Sequence, residues 1–338
     1  MDAASALDEI ARLLEQELAN PYKAKAFRRA LGVIEPLSGD ELAAKLADGS
    51  LKRTPGIGDT TYEVIAEASA GTVPAYLADL REKAGVGEVR AGLRALLRGD
   101  LHCHSEWSDG TTSIAAMARA AAGAGLEYVA LTDHSPSLRV ANGLTAERLA
   151  SQLEIVEALN SSGELGVRIL PGIEVDIRED GSLDQTPEML DRLDVVVASV
   201  HSKLRSPREA MTERMLRAVA DPHTNVLGHC TGRLVRGSRG TRPQSEFDAE
   251  AVFAACVANG VAVEINSRPE REDPPDELIA LALDAGCLFS IDSDGHAPGH
   301  SAFLALGAAR AEAAGIPPER IVTTWPVDDL LAWSRRNR

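Results

Sequence analysis

Asp100-Leu101-His102-Cys103-His104-Ser105-Glu106-Trp107-Ser108-Asp109-Gly110 sets two histidines at i and i+2. On a strand, alternate side chains share a face. His102 and His104 are therefore expected to project together, with Leu101 and Cys103 on the opposite face. Asp109 follows after a short turn that ends in Gly110. Two imidazoles and a carboxylate converging at a strand end can ligate a metal. The alternative is a pair of hydrogen-bonded histidines near the surface, and the motif alone does not separate the two.

The chain that follows does. Seven apolar, β-rich runs alternate with helical patterns: 100–104, 128–132, 168–173, 194–200, 225–227, 261–265 and 287–291. Unbroken hydrophobic strands between helices predict a parallel sheet or barrel. Polar residues follow each run. After the first come His102, His104 and Asp109; after the second, Asp133 and His134; after the third, Glu174. The fourth ends at His201, the fifth at His229, the sixth at Asn266, and the seventh at Asp292-Ser-Asp294-Gly-His296. The C-terminal rim of a parallel barrel is where active sites collect. Of the eight histidines, only His223 and His300 lie elsewhere. Six histidines with Asp109, Glu174 and Asp294 make nine candidate ligands. A structural zinc needs about four, so nine imply about three cations, with Glu174 and Asp109 placed to bridge. Zn²⁺, Mn²⁺ and Fe²⁺ all suit such a donor set. Clustered cations lower the pKa of bound water.

The net charge of −16 argues against broad electrostatic capture of nucleic acid. It is unevenly placed. Residues 1–98 carry 13 Lys and Arg against 15 Asp and Glu, and the remainder 22 against 36. Hydrophobic content of 44% suffices for a full core. No apolar run approaches membrane-spanning length, and no basic start precedes an apolar segment. The expectation is a soluble, cytoplasmic protein that uses no membrane. Cys103, Cys230, Cys256 and Cys287 lack paired spacing, which predicts reduced thiols that ligate nothing.

Helical periodicity covers residues 3–18, about 22–34, a segment capped by Asp40, and about 60–70. Between the last two lies Thr54-Pro-Gly56-Ile-Gly58. Its glycines allow a tight backbone whose amides can grip a phosphate at a helix N-terminus. Lys23, Lys25, Arg28 and Arg29 form a local basic cluster. Asn20 to Ala30, Thr54 to Gly58 and Gly71 to Leu77 together resemble the small helix-hairpin-helix domain of family X DNA polymerases. That resemblance implies contact with DNA through Gly56, Gly58, Lys23, Lys25 and Arg28. A generic helical packing module is the alternative. Two positions depart from the family: Asp59 puts an anion where a phosphate would lie, and Val64 stands where the family has its Schiff-base lysine. No lyase activity is expected. About 20 residues separate Leu80 from Asp100. This leaves no room there for a polymerase palm.

The motifs His102-x-His104, Ser108-Asp-Gly110, Thr132-Asp-His-Ser135, Gly172-Ile-Glu174, Ser199-Val-His201, Gly228-His229 and Ser293-Asp-Gly-His296 resemble the PHP (polymerase and histidinol phosphatase) family. Gly172 to Ile177, Asp180 to Asp184, Gly232-Arg233-Leu234 and Glu264 to Ser267 point to the form of that family fused to family X polymerases. The resemblance implies a distorted seven-stranded (β/α)7, TIM-like α/β barrel with a trinuclear metal site. The expected division is a helix-hairpin-helix domain at 1–80, a linker at 81–98 and the barrel at 99–338. The implied activity is hydrolysis of phosphate esters, as a 3′→5′ exonuclease or 3′-end phosphatase. Asp109, Glu174, His201 and Arg233 are the expected catalytic residues, with Arg233 on a nonbridging oxygen. Lys203, Arg268 and Asn266 are further candidates, and Asp133 is expected to orient a ligand imidazole. The partner is then DNA or a small phosphate ester; nothing indicates a protein partner. A small-molecule phosphatase and a non-catalytic DNA-binding module are the competing readings. Residues 276–285, 301–314 and 327–333 read as scaffold helices, Trp325 and Trp333 as core, and 236–242 as a basic loop.

Overall fold

The computed structural model describes residues 1–18, 20–84, 91–237 and 240–337. The chain forms two compact units, Met1–Val89 and Arg90–Arg338.

The first unit is helical: α1 (Ala3–Gln16), α2 (Pro21–Ile34), α3 (Gly39–Ala47), α4 (Asp59–Ser69) and α5 (Ala75–Ala84). Leu7, Ile10 and Leu14, one stripe of α1, are buried with Phe27 of α2, Ile65 of α4 and Leu77 of α5. Asp40 is not the cap of α3. Ser38 takes that place, and Glu41 reaches back to it in a capping box. Asp40 then falls in the first helical turn, where its charge suits the helix dipole. Of the expected linker, residues 81–84 end α5 and 92–96 form a short helix. Residues 85–90 lie outside the described residues.

The second unit holds seven parallel strands in the order of the chain: β1 (Gly99–Cys103), β2 (Tyr128–Leu131), β3 (Arg168–Asp176), β4 (Val195–Ser199), β5 (Val226–Leu227), β6 (Ala262–Asn266) and β7 (Leu288–Asp292). Each adjacent pair is joined by a helical crossover or loop. β1 returns to the end of β7 through His104 N–H to the Gly295 carbonyl at 2.7 Å. The result is a TIM-like α/β barrel of seven strands.

Strand residues split into two apolar layers. Val129, Val196, Val263 and Phe289 pack with the surrounding helices. Tyr128, Ala130, Leu170, Val195, Val197, Val226 and Ala262 pack inside the barrel with Val322, Leu330 and Trp333 from the C-terminal segment. Trp325 and Trp333 meet edge-on at 6.2 Å in that inner layer. The tail helices run Asp276–Ala285, Leu304–Ala313 and Val327–Ser334, with 3₁₀ turns at Pro298–Phe303.

One feature of β1 departs from simple alternation. Its register against β2 shifts between Asp100 and Cys103. Leu101 joins the inner layer and Cys103 the outer one, so they do not share a face. A bulge of this kind re-aims side chains beside a functional site. Here it turns two successive residues, Leu101 and His102, inward.

Candidate metal centre

Each strand delivers its polar residues to the same end of the barrel. The β1 end carries His102 and His104, and Asp109 follows on a tight loop. Gly110 closes that loop against the Ser105 carbonyl, which a Cβ would meet at 2.6 Å. His134 follows β2, His201 follows β4, His229 follows β5, and Asp294 and His296 follow β7. Glu174 lies within β3, two residues past Gly172.

Glu174 is the hub. Its Oε2 lies 2.7 Å from His134 Nδ1, 3.3 Å from His102 Nε2 and 3.6 Å from His104 Nε2. Its Oε1 lies 2.9 Å from His229 Nε2 and 3.1 Å from His201 Nε2. Asp109 Oδ1 stands 3.3 Å from His296 Nε2 and 3.5 Å from His134 Nε2. Asp294 Oδ1 is 3.6 Å from His104 Nε2 and 3.5 Å from His296 Nδ1. Among the described residues, three groups bring ligand atoms within 4.8 Å of one another: His104, Asp109, His134 and His296; His102, His104 and Glu174; His134, Glu174 and His201.

The donors fit divalent cations. Buried polar atoms are normally hydrogen-bonded. Yet His102 Nε2, His104 Nδ1 and Nε2, His134 Nδ1, Glu174 Oε2, His201 Nε2 and His229 Nδ1 are buried with no aligned hydrogen-bond partner. Burial alone would raise the Glu174 carboxyl, but His201, His102 and His134 hold it well below the usual range. Asp294 is likewise depressed, by Arg271 and His104 against its burial. Burial and the neighbouring His296 and His134 push His104 well below the ordinary imidazole value, leaving a neutral ring. Anionic carboxylates and neutral imidazoles are the forms that ligate.

Glu264, Asp176 and Arg271, which had no assigned role in the sequence, hold these groups in place together with the candidate Asn266. Glu264 accepts from His102 Nδ1 at 2.6 Å and from the His229 main-chain N–H. Asp176 bonds His201 Nδ1. Arg271 Nε pairs with Asp294 Oδ2 at 3.0 Å, and Asn266 Nδ2 donates to the same oxygen at 3.1 Å. The signal was strand period: Asp176 lies two residues from Glu174, and Glu264 two residues from Asn266, on the same faces. Asp133 orients no imidazole. It accepts from Ser105 N–H at 2.9 Å, Ser105 Oγ at 2.7 Å and Gln152 Nε2 at 2.7 Å, and also from Ser108. It therefore anchors the loop that carries Asp109. The reason is again alternation: His134 and its neighbour Asp133 leave the chain on opposite sides.

The candidate cations end differently. Arg233 gives its guanidinium to the carbonyls of Arg271 and Glu272. Arg268 pairs with Glu270 at 3.1 Å and sets Nη1 3.0 Å from His296 Nδ1. Lys203 is exposed. Arg236 donates to the Pro269 carbonyl at 2.6 Å and Arg242 to that of Gly232 at 2.6 Å. Residues 238–239 of that basic loop lie outside the described residues. Asp292, the rival of Asp294, accepts from the Leu101 N–H at 2.7 Å. Its partner across the β1–β7 seam is Asp100, which takes the Ser293 N–H at 3.1 Å and is pushed up to about 6 by burial. Cys103 and Cys230 pack in the outer layer.

In the helical unit, Lys23 and Lys25 are exposed. Arg28 is half-buried and forks onto Glu15, at 2.9 and 2.8 Å, with Asp8 beside it. Gly56 has φ +99°, and a Cβ there would crowd Arg29 and Val33 at 3.1 Å. The Gly58 N–H donates to Thr61 Oγ1 at 2.9 Å. Asp59 is exposed and faces Lys52 at 3.0 Å, and Val64 is buried in the unit's core.

A seven-stranded parallel barrel with such a rim defines a class, and the comparisons name the family. Residues 100–268 match the family model described as PHP domain. The chain belongs to the PHP domain family. It is 36% identical over 241 residues to a Bacillus subtilis protein named DNA polymerase/3′-5′ exonuclease PolX. That match covers 71% of this chain and 41% of the relative, so the chain spans well under half of it. An Escherichia coli protein named probable phosphatase YcdX is 28% identical over 212 residues, covering 60% of this chain and 79% of its own length. A solved structure titled histidinol phosphate phosphatase from Lactococcus lactis aligns with a TM-score of 0.48 and 21% identity, covering 65% of this chain and 94% of that one.

Proposed function

We propose that this chain is a metal-dependent hydrolase of phosphate esters that processes the 3′ ends of nucleic acid. The observation that carries the reading is Glu174: one buried carboxylate within 3.6 Å of five imidazole nitrogens, several of which lack any aligned hydrogen-bond partner. Family membership and the names of the B. subtilis and E. coli relatives support the phosphate-ester chemistry.

Nine residues would hold about three divalent cations of Zn, Mn or Fe: His102, His104, Asp109, His134, Glu174, His201, His229, Asp294 and His296. Such ions, when bound, supply Lewis acidity that yields hydroxide near neutral pH and offsets phosphoryl charge. The chain's own residues do the rest. Glu174 joins the two inner groups. Asp109, whose side chain is 38% exposed, and His201, 13% exposed, sit where an ester can enter. Asp176 fixes the His201 ring through Nδ1. Arg233, steadied by two loop carbonyls, is the cation for a nonbridging oxygen. Lys23 and Lys25 would meet a nucleic-acid backbone.

A second reading is a phosphatase for small esters. It is favoured by the helical unit, where Arg28 and the Gly58 amide are committed internally and Asp59 is an exposed anion. The discriminating experiment offers the full chain, loaded with manganese or zinc, 3′-labelled single-stranded and gapped DNA beside small phosphate monoesters. Release of the 3′ label from the DNA as a mononucleotide or phosphate supports the first reading. Turnover of the small esters alone rejects it in favour of the second.

A further inference from the structure

His300 is one of the two histidines outside the expected ligand set, and the structure gives it a defined partner. It is buried, and its ring stacks on Phe303 with centroids 4.8 Å apart. Its Nδ1 accepts the main-chain N–H of His296 at 3.0 Å. An acceptor at Nδ1 implies a neutral ring with its proton on Nε2. The carbonyl of His296 accepts the N–H of Thr111 at 2.8 Å. Thr111 stands two residues beyond Asp109. The main chain of His296 is thus held on one side by its own loop and on the other by the loop that carries Asp109.

The place matters because His104, Asp109, His134 and His296 form the most open of the three groups. The side chains of Asp109 and His296 are 38% and 18% exposed, whereas those of His102 and Glu174 are 0% and 1% exposed. The inner ligands His102 and Glu174 are fully buried. His296 leaves β7 on a loop, where Arg268 Nη1 lies 3.0 Å from its Nδ1 and the preceding Gly295 carbonyl accepts from the His104 N–H. Asp294, two residues earlier, already sits at φ +48°. The conformation of this loop therefore depends on the bonds that hold it.

We propose that His300 is a positioning residue that fixes the His296 main chain so that His104, Asp109, His134 and His296 hold a divalent cation of their own. The proposal rests on the metal-dependent reading above. His300 ligates nothing itself; it sets the direction from which His296 Nε2 approaches Asp109.

The test uses the full chain, stripped with chelator and titrated with zinc. Calorimetry and elemental analysis read stoichiometry and affinity, and cobalt(II) absorption reads ligand geometry. His300→Phe keeps the aromatic stack and removes the acceptor; His300→Asn restores an acceptor oxygen near the same position. Expected in His300→Phe is a loss of ~10–100-fold in the affinity of one equivalent, the remaining equivalents unchanged. His300→Asn is expected to recover most of that loss and the cobalt spectrum. Wild-type affinity for every equivalent in His300→Phe, or equal loss in both variants, overturns the proposal. A wild-type chain that takes up no zinc overturns the reading of the whole site, and it does so before any variant is compared.

Discussion

Glu174 and Arg28 are both charged residues expected to meet something from outside, and they end in opposite surroundings. At the barrel rim, Glu174 is fully buried, and the imidazoles around it leave nitrogens with no aligned partner. In the helical unit, Arg28 is satisfied by Glu15 and Asp8. Burying charge without satisfying it is costly. A fold keeps such an arrangement where a further group completes it. The rim therefore reads as a site and Arg28 as part of a scaffold. Of the basic residues for which the resemblance implies DNA contact, the exposed Lys23 and Lys25 remain.

The largest effect should come from the hub. Glu174→Ala is expected to cut phosphoester turnover by at least ~10³-fold. It should also lower the metal content of the purified chain. Full activity with unchanged metal content would erase the contrast between the two regions. Next is Glu264→Gln, which weakens the support under His102 and His229 and touches no expected substrate. Metal affinity and turnover should both fall by ~10–100-fold. A variant that loses turnover while keeping metal affinity would move Glu264 out of this supporting role.

A pH experiment sharpens the same contrast. Burial lowers the His201 imidazole, but Glu174 and Asp176 outweigh it and push the value up to about 9 from 6.5. A group raised on folding stabilises the fold fully below its unfolded pKa. That contribution is lost as pH rises through the folded one. The chelated protein should therefore melt at progressively lower temperature between about pH 6.5 and 9. Cation uptake should strengthen over the same window, since the ion displaces the proton from His201. A flat melting temperature across it would show that His201 carries no such proton in the metal-free chain.

How much of this was legible in sequence follows from what alternation can carry. The seven strands announced themselves because buried parallel strands are unbroken hydrophobe, whereas their closure into a barrel came with the family resemblance. Their polar ends were visible because the histidines are few and nearly all sit there. What stayed hidden was contact across the barrel. Glu264 and Asp176 lie on the right faces, but which imidazole each holds depends on register between strands. Asp133 looked like a ring partner and is instead the anchor of the loop bearing Asp109. The bulge in β1 breaks period two, which is why Leu101 joins the inner layer. In the helical unit, spacing identified the glycine loop but not the use of its amides. Thr61 sits three residues past Gly58, a capping distance that already offered an internal partner.

The smallest expected effects separate scaffold from surface inside the helical unit. Arg28→Leu removes the guanidinium fork from Glu15, whose side chain is 5% exposed, and the contact with Asp8. Stability should fall by about 1–3 kcal/mol in urea titrations, the range for losing hydrogen bonds to a charged group. Lys23→Glu with Lys25→Glu alters only exposed charge, so stability should hold within about 0.5 kcal/mol. If this unit meets a nucleic-acid backbone through those lysines, the double variant should lose affinity for gapped DNA several-fold. It should also show a shallower salt dependence, because fewer counterions are released. Turnover of small esters, which needs only the rim, should be unchanged. Equal DNA affinity in the wild type and the lysine variant would remove the remaining cationic contacts named here and shift the balance toward a small ester.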